Sequence, residues 1–255
     1  MGSFNKSYSE YYDSLYVNKD YKKEFFVINK LIKKYLKKPK NLLDIGCGTG
    51  KYSSLLTKMK LKVVGLDKSS FMIQEAKKKF KTNKNLSFIQ SDLKNFKTKE
   101  KFDVVSALFH ILSYQITNAD VDKFFKTSHR ILNLNGIFVF DFWFKPGVLN
   151  LKQPNKFRKV TASESSIIRL TTSNWYKKLD RIDDVHEMLI LDKKKTLRKN
   201  FTETHKMKYF DISFIKQKLK KNKFKFLSCV DIANNKYPTE NSWGALVIAK
   251  KLGNE

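Results

Sequence analysis

Cysteine is nearly missing from this 255-residue chain: only Cys47 and Cys229 are present, far apart in sequence. No disulfide framework or cysteine metal site can be read from that spacing, and a disulfide is not expected. Proline is almost as scarce, and Pro39, Pro146 and Pro238 fall between patterned segments, not inside them. No apolar run approaches the roughly 20 residues needed to span a bilayer, so no membrane partner is expected. The first 20 residues are polar and tyrosine-rich, without the apolar centre of a signal peptide, and a cytoplasmic location is the expectation. Acid is the minority charge, 24 residues against 52 basic ones, for a net charge of +28. Arginine contributes only Arg130, Arg158, Arg169, Arg181 and Arg198; every other basic residue is lysine. These lysines occur in every segment, which reads as a solvated coat that permits an anionic substrate.

An apolar share of 41% is enough for a full core. Residues 21–37 place Phe25, Ile28, Leu31, Ile32 and Tyr35 on one helical face, ended by Pro39. Short apolar runs then alternate with amphipathic stretches: strands over 42–45, 62–66, 86–90, 104–108 and 136–140, helices over 51–59, 70–80 and 121–132. That alternation predicts right-handed βαβ units and a mostly parallel sheet covered on both faces. After Pro146 the pattern changes to strand-like runs over 167–172, 185–191 and 201–209, a small antiparallel sheet. A helix over 214–219 and strands over 226–232 and 245–249 close the chain.

The most informative run is Asn41-Leu42-Leu43-Asp44-Ile45-Gly46-Cys47-Gly48-Thr49-Gly50. An apolar strand ends in an acid, and three glycines follow at alternate positions, where backbone N–H groups can approach a ligand with no Cβ in the way. Asp44 would repel a pyrophosphate but suits a cationic, amino-acid-bearing ligand. Asp67 ends the second strand, where a carboxylate accepts hydrogen bonds from both hydroxyls of a ribose; Lys68 follows it. Met72 is placed to pack on an adenine face. Asp92 follows the third strand and suits an adenine amino group, with the Leu93 N–H near a ring nitrogen. The fourth strand ends in Leu108-Phe109-His110, where apolar residues and backbone carbonyls can flank the amino-acid part of such a ligand. All sit at carboxyl ends of strands, where open parallel sheets bind ligands.

This constellation resembles the class I S-adenosylmethionine (SAM) methyltransferases, most closely over residues 41–143. It is similar to bacterial small-molecule enzymes that methylate amino groups of nucleotide-linked deoxysugars, and to O-methyltransferases of capsule phosphoramidates. Tyr12-Asp13-x-x-Tyr16 with Asp20-Tyr21 is similar to their N-terminal segment that folds over SAM. Phe142-Trp143-Phe144 and Glu203-x-His205-x-Met207 are similar as well. The resemblance implies an α/β, doubly wound Rossmann-like fold. It comprises a seven-stranded mostly parallel sheet, an inserted small antiparallel β-sheet and an N-terminal helical lid. The domains expected are a lid segment and helix over 1–40, the SAM-binding core over 41–145, a substrate-binding sheet over 146–210, and the last helix and strands over 211–255. Tyr12, Tyr16, Tyr21, Asp44, Gly46, Gly48, Gly50, Asp67, Lys68, Met72, Asp92, Leu93, Leu108 and Phe109 are the cofactor-binding candidates.

Methyl transfer depends mainly on holding two ligands at near-attack distance. A base is needed only where the nucleophile must lose a proton; His110, His205, His186 and Asp141 are the candidates. His110, His205 and Asp141 are assigned catalytic roles, and His129, beside Arg130 on a helix, is read as a surface residue. Tyr114, Trp143, Arg169 and Arg181 are assigned to the substrate, with Tyr16 helping to close the pocket. The expected partner is a nucleotide- or phosphate-bearing small molecule, accepting the methyl group on nitrogen or oxygen, in a monomer or homodimer. An RNA or protein methyltransferase using the basic surface is the alternative, although Ala107-Leu108-Phe109-His110 lacks the Pro-Pro loop of nucleic-acid amino-methylating enzymes. A non-enzymatic SAM-binding protein and a nicotinamide dehydrogenase are the other readings.

Overall fold

The computed structural model describes residues 4–152, 155–161 and 165–253. Its order begins with two helices, α1 (Lys6–Leu15) and α2 (Tyr21–Tyr35). Asn5 and Asp20 cap them by accepting hydrogen bonds from Tyr8 and Lys23 N–H, each at 2.9 Å. The core follows as β1 (Asn41–Ile45), α3 (Lys51–Leu56), β2 (Lys62–Asp67), α4 (Ser70–Lys79), β3 (Leu86–Gln90), β4 (Phe102–Ala107), α5 (Asn118–Ile131) and β5 (Leu132–Phe144). Next come α6 (Lys145–Leu151) and four strands: β6 (Lys156–Thr161), β7 (Ser165–Tyr176), β8 (Arg181–Asp192) and β9 (Leu197–Phe210). The chain returns to the core through α7 (Ile212–Lys221), β10 (Phe224–Val230) and β11 (Gly244–Lys251).

The core sheet runs β3-β2-β1-β4-β5-β11-β10, seven strands as expected, with β11 antiparallel to both neighbours. Alternation along β5 divides its side chains between the two faces. Phe138, Phe140 and Phe142 join Phe124, Phe125 and Phe224 on one side. Ile137 and Val139 join Ile28, Ile32, Leu42 and Ile248 on the other. On the crowded aromatic face, β11 contributes only Ala245, Val247 and Ala249, small enough to admit the rings. Each fully buried phenylalanine contributes about 1.5–3 kcal/mol of burial free energy.

Three differences from the sequence expectation matter. First, β5 continues to Phe144, because β11 pairs with it as far as Trp143↔Gly244. Second, the antiparallel strands are not a separate sheet. A two-residue parallel pairing, Trp143↔Tyr209 and Phe144↔Phe210, joins β9 to the end of β5, so all eleven strands form one connected sheet. Third, α6 and β6 carry too short or too exposed an apolar pattern to be read in advance. His129 is also not a surface residue: its ring is half-buried, 5.2 Å from that of Phe224, because α5 turns this side toward β10. Among the described residues no helix is long and apolar enough to cross a membrane.

α1 is the element that turns this sheet into a container. Tyr8, Tyr12 and Leu15, spaced for one helical face, pack between Met72 of α4 and Ile167, Met188 and Ile190 of the inserted strands. Asp13 on α1 accepts a hydrogen bond from Thr49 Oγ1 in the glycine loop at 2.6 Å and pairs with Lys79 at 2.5 Å.

Candidate functional site

The carboxyl ends of β1, β2, β3 and β4, the underside of α1 and one face of the inserted sheet line a cavity of about 450 Å³. A smaller one of about 30 Å³ adjoins it, sharing Tyr12, Gly46, Gly48 and Phe109 as lining. Among the cofactor candidates, Tyr12, Tyr16, Gly46, Gly48, Asp67, Lys68, Met72, Asp92, Leu93 and Phe109 line the larger cavity. Tyr21, Asp44 and Leu108 line the smaller. Gly50 lines neither; at φ +81° it caps α3, and a Cβ there would meet Phe88 Cζ at 2.7 Å.

The glycines divide their work. Gly46, at φ +68°, is squeezed by the protein itself, since a Cβ would lie 2.2 Å from Ile111 Cδ1. Gly48, at φ +55°, faces open space with nothing within 4 Å of such a Cβ, which leaves its backbone free to approach a ligand. Asp67 is fixed by accepting from Gly48 N–H at 2.9 Å and Ser69 N–H at 2.8 Å. Burial raises its pKa, and lone pairs not used by these two bonds remain for vicinal hydroxyls in the cavity. Asp44 is 2% exposed and accepts from Ser53 Oγ at 2.6 Å and Ser106 Oγ at 2.7 Å. Burial lifts its pKa to about 6 despite those hydrogen bonds. Asp92 accepts from Lys94 N–H at 2.8 Å, which sets its loop against the cavity. An acid at each of three strand ends, an apolar wall at Met72 and an unobstructed glycine backbone fit an adenosine joined to a cationic amino acid.

Sequence reasoning missed Lys19. Its ammonium pairs with Glu24 at 2.5 Å and lies 4.5, 5.4 and 5.8 Å from the ring centroids of Phe109, Tyr21 and Tyr52, beside the smaller cavity. The residues reach this place through the turn between α1 and α2, a chain reversal with no motif to announce it.

At the end of β4, Phe109 and His110 both adopt left-handed conformations, φ +66° and +65°. Asp141 holds this costly turn by accepting from His110 N–H at 2.8 Å, and its Oδ2 lies 3.1 Å from His110 Nδ1. Asp141 itself lies behind the turn, outside the cavity lining, with burial raising its pKa to about 6. His110 lines the cavity; burial, helped by the charge of Lys19, lowers its pKa to about 3 and keeps the imidazole neutral.

The inserted strands present alternate residues to the same space. Thr171 pairs across with His186 and His186 with Glu203, while Ser173 pairs with Asp184 and Asp184 with His205, so these residues share one face. His205, Arg169 and Tyr114 line the cavity, with Trp143 of β5. His186, Lys156, Asp184, Tyr8, Phe4 and Trp243 line it too, of which only His186 was named from sequence. Trp143 and Trp243 make an edge-on pair at 5.1 Å, and Lys156 Nζ lies 5.6 Å from the Trp243 ring. Arg169 lies 5.9 Å over Tyr16. Arg181 does not reach the cavity lining; its Nε lies 2.8 Å from Asp183 and its guanidinium stacks over Tyr176 at 4.5 Å.

Residues 42–136 match the family model described as a methyltransferase domain. The chain is 26% identical over 180 residues to a putative methyltransferase, YqeM, of Bacillus subtilis, covering 70% of this chain and 71% of that protein. It is 26% identical over 145 residues to the dTDP-3-amino-3,4,6-trideoxy-alpha-D-glucopyranose N,N-dimethyltransferase of Streptomyces venezuelae, covering 56% of this chain and 60% of that one. Its fold matches the X-ray structure of the sugar N-methyltransferase KedS8 from Streptoalloteichus sp. with a TM-score of 0.81 at 20% identity, covering 96% and 93% of the two chains.

Proposed function

We propose that this protein, a SAM-dependent methyltransferase, methylates the amino nitrogen of a nucleotide-linked sugar. The observation that carries the reading is the cavity, whose lining joins the cofactor candidates to Lys156 and Arg169 of the inserted strands. Asp184 is the acid within electrostatic reach of both cations, and Ser173 Oγ already donates to it at 2.6 Å. Two cations against one acid suit the phosphates of an activated sugar. The tryptophan pair beside Lys156 offers a face for a base. The dTDP-amino-sugar N,N-dimethyltransferase among the relatives supports the same chemistry. Assembly of a surface glycan, through a capsule phosphoramidate or an amino sugar, is the setting in which such a substrate would be consumed.

SAM, when bound, would supply a sulfonium methyl group whose carbon an amine lone pair can attack in line, with S-adenosylhomocysteine as the leaving group. The chain's own residues hold and orient. Asp67, Asp92 and Met72 would hold the nucleoside, and Asp44, Tyr21 and Leu108 the amino-acid end, with Lys19 beside it. The α1 tyrosines roof the space against water, and neutral His110 and His205 place no competing positive charge against an amine. Much of the rate enhancement comes from this positioning.

Labelled methyl transfer from SAM to a dTDP-linked amino sugar and to its hydroxyl analogue tests the reading. Label on the amine only is expected. Label on the hydroxyl analogue would move the acceptor to oxygen. Incorporation only into RNA or protein of a cell extract, lost steeply with salt, would turn the +28 charge into a binding surface and overturn it.

A further inference from the structure

The cavity-facing side of the insert buries more ionisable groups than packing requires. His186, Glu203 and His205 are 8%, 4% and 3% exposed. Among the described residues no three His, Cys, Asp or Glu side chains converge as metal ligands would. A directed chain of polar atoms leaves the cavity here instead. The Tyr114 hydroxyl is 2.8 Å from His205 Nδ1; His205 Nε2, buried and without a hydrogen-bond partner, has Glu203 Oε1 3.5 Å away. Tyr114 and His205 line the cavity, whereas Glu203 lies behind them and accepts from the N–H groups of Phe4 and of Asn5, the latter at 3.4 Å.

We propose that Tyr114, His205 and Glu203 form a proton relay that drains the acceptor nitrogen, with Glu203 as the terminal acceptor. The proposal rests on the amino-acceptor reading above. An amine that gains a methyl group carries one proton more than the neutral product. That proton passes from nitrogen to the Tyr114 oxygen as the tyrosine proton moves to His205 Nδ1 and the Nε2 proton moves to the Glu203 carboxylate. Tyr114 ends as it began, His205 is left protonated on Nδ1 instead of Nε2, and Glu203 ends protonated; loss of the Glu203 proton to solvent and return of His205 to its Nε2–H tautomer reset the relay.

The surroundings fit these roles. Burial pushes Glu203 up to about 7, against the two N–H donors of the Phe4–Asn5 turn, so it can take a proton near neutrality. His205 is lowered to about 3 by burial and by the charges of Arg169 and Lys68, so the imidazole hands a proton on without storing it. His186, its ring 4.9 Å away and bonded to Thr171 at 2.9 Å, is held neutral at about 2, and Tyr8 packs 5.1 Å from His205 with its own ionisation raised well beyond the ordinary. Tyr114 stays protonated, also by burial, with Glu203 and Asp184 acting in the same direction. A purely architectural network would gain from glutamine in place of Glu203, which accepts the same N–H bonds without the cost of burying a charge.

Two arms test the relay. In the first, without substrate, infrared spectra of the protein with bound S-adenosylhomocysteine are recorded against pH, and the Glu203 carboxyl band is assigned by its loss in Glu203→Gln. A titration midpoint near pH 7 that shifts in both Tyr114→Phe and His205→Asn is expected. A Glu203 that stays ionised to pH 5, or that ignores both substitutions, overturns the relay whatever the substrate is. In the second, kcat for a dTDP-linked amino sugar should fall below pH 7. Glu203→Gln should lose about tenfold or more in kcat at pH 8 with KM and S-adenosylhomocysteine affinity kept, and Glu203→Asp should recover part of it. Unchanged kcat in Glu203→Gln overturns the relay; a wild-type enzyme inert on amino sugars defeats the acceptor reading, while the infrared arm still decides the relay.

Discussion

The core and the insert build one cavity by opposite means. In the core, the lining groups sit within a few residues of a strand's end and are set by local backbone: the Gly48 and Ser69 N–H groups hold the Asp67 carboxylate, and the space before Gly48 is open. In the insert, recognition belongs to side chains, and register across three long strands brings them together, as Thr171, His186 and Glu203 do. A site made of local turns tolerates change around it but not within it. A site made of register tolerates exchange of single side chains, which is how one cofactor-binding core can serve many acceptors.

Four experiments break or sharpen this contrast. Asp67→Ala should cost the most, about 100-fold or more in S-adenosylhomocysteine affinity by calorimetry, since charge-assisted hydrogen bonds are worth about 1.5–3 kcal/mol each. The Lys156→Met/Arg169→Met pair should raise KM for a nucleotide sugar about tenfold or more and leave S-adenosylhomocysteine affinity alone. A loss of cofactor binding there would erase the distinction between the two regions. Gly48→Ala should weaken the cofactor several-fold while costing only about 1 kcal/mol in thermal stability, the penalty of a Cβ at positive φ. Gly46→Ala, pressed on Ile111, should instead lose stability first.

The smallest effect is a pH dependence of stability. Glu203 has a folded pKa of about 7, above the ordinary 4.5, so its contribution is most favourable below about 4.5 and is lost as pH rises through 7. Glu203→Gln is free of that loss, and its Tm relative to wild type should be higher at pH 8 than at pH 5. The opposite order would mean the carboxylate is stabilised, not strained, by its setting.

The same contrast decides what could be read from sequence. The glycine loop, Asp67, Met72 and Asp92 were legible because each motif is contiguous and a strand's end announces it. Lys156 and Asp184 were not: β6 is largely exposed, and nothing local marks Asp184 as facing inward until β7 and β8 are paired. Arg181 was misplaced for that reason: its position in β8 leaves it with Asp183 and Tyr176, while Arg169 on the neighbouring strand meets the cavity. Lys19 needed the turn between two helices. β5 was read too short because its last residues are held by β11, whose pairing partners lie about a hundred residues on.

That long pairing also sets an order of assembly. The strands β6 to β8 each pair with their immediate successor, so the insert can zip up from its own turns as soon as the chain has emerged. The core cannot, because the gap between β5 and β10 stays open until β11, at the chain's far end, slots between them. The insert and strands β1 to β5 can therefore each pair without the chain's end, and a nascent chain stalled before Gly244 would carry a finished insert beside a central sheet still missing one of its inner strands.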